Sequence, residues 1–148
     1  MANDELSSRL APPSGFAPPA SASVDGVTLD LLTLAQEICR RYRLQYPDEE
    51  ARYGDAGHAW CVHDIQHQLN WAAGDVNGFF EMKPQVAWLA EVLEARQFPL
   101  DRLAVGLDLG AEVLLEQVGG RAAQRLAAVL SDAGSYVRSR ATFLTGDA

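Results

Sequence analysis

Lysine is almost missing from this chain. Of its 12 basic residues only Lys83 is a lysine, and the rest are arginines. They are outnumbered by 20 acidic residues, for a formal charge of −8 over 148 residues. The densest basic run, Arg40-Arg41-Tyr42-Arg43, sits inside a helical pattern. An acidic chain with one short basic run argues against nucleic acid as a partner. Cysteine is scarce as well: Cys39 and Cys61 are too few, and wrongly spaced, for a disulfide framework or a zinc knuckle. No apolar run approaches the ~18 residues of a membrane span. No basic stretch followed by an apolar one marks a signal peptide near the start, so the expected location is the cytoplasm. There is neither a glycine-rich phosphate loop nor a nucleophile–base pair, so the chain is not expected to be an enzyme.

What is present is apolar periodicity. Hydrophobic residues make up 48% of the chain, enough for one domain with a real core. Residues 1–26 are rich in Ala, Pro and Ser, with Pro12-Pro13 and Pro18-Pro19, and read as a disordered tail. From Leu29 onward the pattern is helical, with no strand alternation. Leu31, Leu34, Ala35, Ile38, Cys39 and Tyr42 mark a first helix that ends before Pro47. A second begins at Asp48-Glu49-Glu50, where acidic residues suit the helix dipole, and runs to about Ala73 with a break near Gly54 and Gly57. A third covers Phe79 to about Gln97. A fourth runs from Pro99 to Gly119-Gly120, and a last one from Arg121 to about Phe143. The expected fold is all-α, one domain of five to six helices over residues 27–144. Residues 145–148 form a C-terminal end or the start of a linker.

The second helix carries the most informative pattern, the stretch Trp-Cys-Val-His-Asp-Ile-Gln-His-Gln-Leu-Asn-Trp from Trp60 to Trp71. Wound as a helix, Trp60, His63, Asp64, His67 and Trp71 fall within about 100° of one another. Cys61, Ile65, Leu69 and Ala72 form a separate core stripe beside them. Two indoles, two imidazoles and a carboxylate suit the wall of a pocket for a flat ligand with polar nitrogens. A solvated face would favour Glu, Lys and Arg.

Other readings of these residues stay open. His63 and His67 are spaced to share a metal, with Asp64 or His58 nearby. However, the residue after His63 is Asp, so the His-Glu-x-x-His pattern is absent, and no histidine lies beyond position 67. Hydrogen-bonded histidines at the solvent edge are the ordinary alternative. Cys61 and His63 point ~160° apart on a helix and cannot form a catalytic pair. Cys61 as a small buried apolar residue is the plainer reading. Trp60, Trp71 and Trp88 also fit a core. Asp64 reads either as a surface carboxylate or as an acceptor for ligand N–H groups, where a charge-assisted bond is strong.

Cys-Val-His-Asp at 61–64 resembles the Cys-x-Arg-Asp signature of phycobiliproteins, which belong to the globin superfamily. Three further stretches follow in the same order: Asp64-Ile-Gln-His-Gln-Leu-Asn-Trp-Ala, Trp88-Leu-Ala-Glu-Val-Leu-Glu-Ala-Arg-Gln-Phe-Pro and Leu130-Ser-Asp-Ala-Gly-Ser-Tyr-Val. The likeness spans residues 28–143 at low identity, with a gap after Trp71. The chain also resembles the N-terminal half of photoglobins and photocobilins, haem-free globin-like sensor domains joined to a cobalamin-binding domain. The Asp-x-His-x-x-Gly string of that second domain does not occur here.

The resemblance implies a globin-like helical domain that binds a linear tetrapyrrole, a bilin such as biliverdin or phycocyanobilin, and signals in response to light. Cys61 matches the bilin-linking cysteine, although family members that use biliverdin can bind it without a thioether. Asp64 matches the carboxylate that binds the central pyrrole nitrogens. His63 stands where the family has an Arg that contacts a propionate, and it has a shorter reach and only partial charge. Trp60 and Trp71 would sandwich the rings, with His67 beside a propionate or ring carbonyl. The implied partner is a cobalamin-binding or other signalling domain. Haem is disfavoured, because a globin's proximal histidine would lie within residues 79–97, where there is none. A ligand-free globin-like module that forms a homodimer through apolar helices is the alternative from a different functional class.

Overall fold

The computed structural model describes residues 17–144, which form a short β-hairpin and five α-helices. The all-α expectation holds, with five helices. The hairpin is a correction to the reading of residues 1–26 as tail. Strand β1 (Ser21–Val24) pairs antiparallel with β2 (Val27–Asp30), Ser21 opposite Asp30 and Val24 opposite Val27. Asp25 and Gly26 make the turn with φ of 51° and 78°. Positive φ at both turn residues gives the local twist that a two-residue hairpin needs, and Asp-Gly is a favoured sequence for it. Val24 and Leu29 are buried, so the hairpin belongs to the core. Residues 1–16 and 145–148, assigned to the tail and the C-terminal end, lie outside the described residues.

Helix α1 (Leu31–Gln45) starts where Asp30 caps it, accepting from the Thr33 amide at 3.0 Å and the Thr33 hydroxyl at 2.9 Å. It stops at Gln45, two residues before Pro47. Helix α2 (Asp48–Val76) is kinked at Gly54, whose φ of 57° and ψ of −145° suit glycine and little else. Its end is closed by the Phe79 amide donating to the Gly74 carbonyl at 2.9 Å. Asp75 then caps helix α3 (Met82–Ala95) by accepting from the Met82 amide at 2.7 Å. Helices α4 (Leu100–Gln117) and α5 (Gly120–Arg138) pack on each other along their lengths. The last helix ends at Arg138, short of the expected Phe143, although Phe143 is buried.

Ile38 of α1, Val86 of α3, Leu107 and Leu114 of α4 and Leu126 and Leu130 of α5 are fully buried and form the centre. Gly110 lets α4 approach its neighbours closely. A Cβ there would stand 3.3 Å from Leu130 Cδ1 and 3.7 Å from Ile38 Cδ1. The half of α2 beyond the kink lies against this core through Ile65, Leu69, Ala72 and Ala73. Its adjacent face is therefore held in a fixed orientation. No helix among the described residues is long and apolar enough to cross a membrane.

Candidate functional site

The expected strip forms as a ladder of rings along α2. Trp60 and His63 meet edge to face with centroids 5.2 Å apart. His63 and His67 do the same at 4.7 Å, and His67 stacks on Trp71 at 5.9 Å with planes 28° apart. These are i, i+3 and i, i+4 neighbours, so the helix itself sets the spacing. His63 Nδ1 lies 3.0 Å from Asp64 Oδ1.

The ladder forms one wall of an open cavity of about 960 Å³. All six residues singled out in the sequence, Trp60, Cys61, His63, Asp64, His67 and Trp71, line it. The opposite wall comes from α3 and the turn after it: Trp88, Leu89, Val92, Leu93, Arg96 and Phe98. Arg102, Leu103 and Gly106 of α4 contribute, and Tyr53 lies at the kinked end of α2. Ligand sites of drug size run to about 300–1,000 Å³, so this volume suits a large organic molecule.

Sequence reasoning missed the opposite wall. Trp88 is 58% exposed, an unusual position for a residue also suited to the core. Arg96 caps the C-terminus of α3, and its guanidinium lies 5.7 Å over the Trp60 ring across the groove. Nothing in the local pattern around Arg96 pairs it with residues 36 positions earlier.

Most polar groups at the site are already engaged. Arg102 binds Asp48 at 2.9 Å and Glu49 at 2.7 Å, and Glu49 also accepts from the Tyr42 hydroxyl at 2.7 Å. Burial, then that bond to Glu49, pushes the Tyr42 phenol above its ordinary range. Cys61 reaches back to Cys39, which is fully buried in α1. The contact with Cys61, together with burial, pushes the Cys39 thiol well above its usual range. Cys61 is thus partly exposed at the cavity wall and in contact with a second thiol. Two buried ring nitrogens of the ladder have no hydrogen-bond partner among the described residues, Trp60 Nε1 and His63 Nε2. With His63 Nδ1–H donating to Asp64, Nε2 carries a lone pair and Trp60 Nε1 carries a proton. Among the described residues no three His, Cys, Asp or Glu side chains are grouped to hold a metal ion.

The chain matches no protein-family model, and no curated protein or solved structure matches it.

Proposed function

We propose that this domain is a globin-like sensor that binds a linear tetrapyrrole in the cavity between α2, α3 and α4. The observation that carries the reading is the ladder Trp60–His63–His67–Trp71, with Asp64 beside it, on the wall of a cavity of about 960 Å³. Flat aromatic walls favour a conjugated ligand, and offset or edge contacts to such rings add about 0.5–1.5 kcal/mol each. Asp64 is the acceptor for pyrrole N–H groups, through a charge-assisted bond.

The unpartnered pair Trp60 Nε1–H and His63 Nε2 supports a bilin over haem. One is a donor and the other an acceptor, and the terminal lactam rings of a bilin carry a carbonyl and an N–H. A porphyrin periphery offers no such pair. Unsatisfied buried polar groups cost about 1–3 kcal/mol each, and since both atoms are closed to solvent, a lactam edge would relieve them only as the ring ladder shifts to admit it. Cys61 is the site for covalent attachment, in competition with its contact to Cys39. Photoisomerisation would move α2 and signal to a partner domain, cobalamin-binding or other.

Exposed Phe79 and Trp88 favour a second reading, a ligand-free module that pairs with another copy of itself. One titration separates the two. Purified protein is mixed with biliverdin or phycocyanobilin, and absorption is recorded before and after red illumination. A sharpened, red-shifted band that disappears in Asp64→Ala is the expected result, and zinc-stained fluorescence on a denaturing gel reports linkage to Cys61. An unchanged free-bilin spectrum, with a stable dimer in solution, would overturn the sensor reading in favour of the second.

A further inference from the structure

Two arginines line the cavity, Arg96 and Arg102, and they differ in one respect. Arg102 is neutralised by Asp48 and Glu49. Arg96 has no carboxylate partner among the described residues, and its guanidinium lies over the face of Trp60. The two acids of the lining, Glu49 and Asp64, are held by Arg102 with Tyr42 and by His63 respectively. Among the described residues, Arg96 is therefore the one permanently charged side chain of the lining with neither an ion pair nor a side-chain hydrogen bond.

Its position is built by the backbone. Gln97 takes a φ of 64°, its amide donates to Glu94 and that of Phe98 to Leu93, both at 2.9 Å. This closes α3 with a left-handed turn of the kind usually given to glycine. The turn delivers Arg96 and Phe98 together to the cavity. The cation–π contact then orders the guanidinium without consuming its N–H fork, which matches a carboxylate or sulfonate.

We infer that Arg96 is an anion subsite: the natural ligand is a flat conjugated acid whose carboxylate docks on Arg96 while its rings lie along Trp60–Trp71. This inference rests on the cavity being the ligand site and stands whether or not the ligand is a tetrapyrrole. It shifts the role of carboxylate partner from His63 and His67 on α2 to the opposite wall.

The test uses two fluorescent probes of nearly equal shape, anionic 8-anilinonaphthalene-1-sulfonate and neutral N-phenyl-1-naphthylamine. They are titrated into the full chain, Arg96→Gln, Arg96→Glu and, as a control for net charge, Arg140→Gln. Arg96 is exposed, so its variants keep the native circular-dichroism spectrum. The sulfonate affinity is expected to fall by about tenfold or more in Arg96→Glu, as loss of a charge-assisted bond implies, while the neutral probe is unaffected and Arg140→Gln changes neither. No sulfonate binding to the native chain, an equal loss for both probes, or an equal loss in Arg140→Gln would overturn it. Biliverdin and its dimethyl ester are run alongside. If biliverdin fails to bind while the sulfonate still depends on Arg96, the tetrapyrrole reading falls and the anion subsite stands. Equal affinity for acid and ester, unchanged in Arg96→Glu, would remove the subsite and leave the tetrapyrrole reading in place.

Discussion

Tyr53 and Gly57 touch across the kink of α2, so that the Tyr53 Cβ fills the space a Cβ on Gly57 would need. The contact follows from Gly54, whose backbone breaks the helix and brings the turn before it close to the turn after it. Tyr53 and Gly57 both line the cavity, so the kink shapes one end of the site. Gly57→Ala is expected to destabilise the fold by about 1–3 kcal/mol through overpacking, against the usual gain of alanine in a helix. Gly106→Ala is the contrast. Its new methyl would meet only Ile65 Cδ1 at 3.4 Å, and it should leave stability unchanged or raise it by up to about 1 kcal/mol. Urea unfolding of both variants checks the pair, and equal effects would contradict the role given to Tyr53.

The two cysteines should react unequally despite their contact. Cys39 is fully buried and its thiol is held protonated by the Cys61 contact and by burial, whereas Cys61 is partly exposed. The thiolate is the nucleophile, so burial and a raised thiol value both disfavour Cys39. Iodoacetamide at mildly alkaline pH is expected to modify Cys61 in the native protein and Cys39 only after unfolding. Peptide mass spectrometry reads the ratio, and comparable native labelling of both sites would refute this arrangement.

Arg102 ties the start of α2 to α4. It binds Asp48 and Glu49, and its guanidinium lies 4.3 Å over the Tyr46 ring. Removing it leaves Glu49, only 13% exposed, without its cation. Arg102→Ala is therefore expected to cost about 1–3 kcal/mol, the penalty of a largely buried carboxylate left with only the Tyr42 hydroxyl as partner. Differential scanning calorimetry should show a lower midpoint for Arg102→Ala and a smaller loss for Arg102→Lys, which keeps the charge but not the fork.

Acid should weaken the fold through carboxylates whose protonation the native state resists. Hydrogen bonds from Arg40, then Arg41, hold the Glu37 carboxyl down to about 2 from an ordinary 4.5. Arg102 lowers Asp48, Arg41 lowers Glu116, and the Thr142 hydroxyl lowers Glu94. A carboxyl with a lowered folded-state value contributes its full stabilisation above the unfolded value and loses it as pH falls. For Glu37 that window runs from about 4.5 down to about 2. The thermal midpoint is expected to drop across it, with a shallower drop in Glu37→Gln. A midpoint flat between pH 5 and 2 would contradict these pairings, and added salt should flatten it in part by screening.

The wall of the cavity on α2 was legible because it is local. Positions 60, 63, 64, 67 and 71 share a face through helix period alone, and the ring ladder follows that spacing. The hairpin was also present in the sequence, as Asp25-Gly26 between Val24 and Val27, but strands of four residues are too short to show alternation beside a proline-rich stretch. The end of α5 was overextended to Phe143 because a buried apolar residue after a helix continues its pattern without continuing its hydrogen bonds.

By itself, then, the sequence determined the helical segments, the kink at a glycine and one face of the site, because each depends on interactions within a few residues. Only the tertiary structure decided what faces that wall. Arg96 and Trp60 meet because α3 packs across from α2 and the turn at Gln97 aims the chain back, relationships set by packing between distant segments rather than by periodicity. The same packing left Arg102 paired with Asp48 and Glu49, and Arg96 without a carboxylate partner among the described residues.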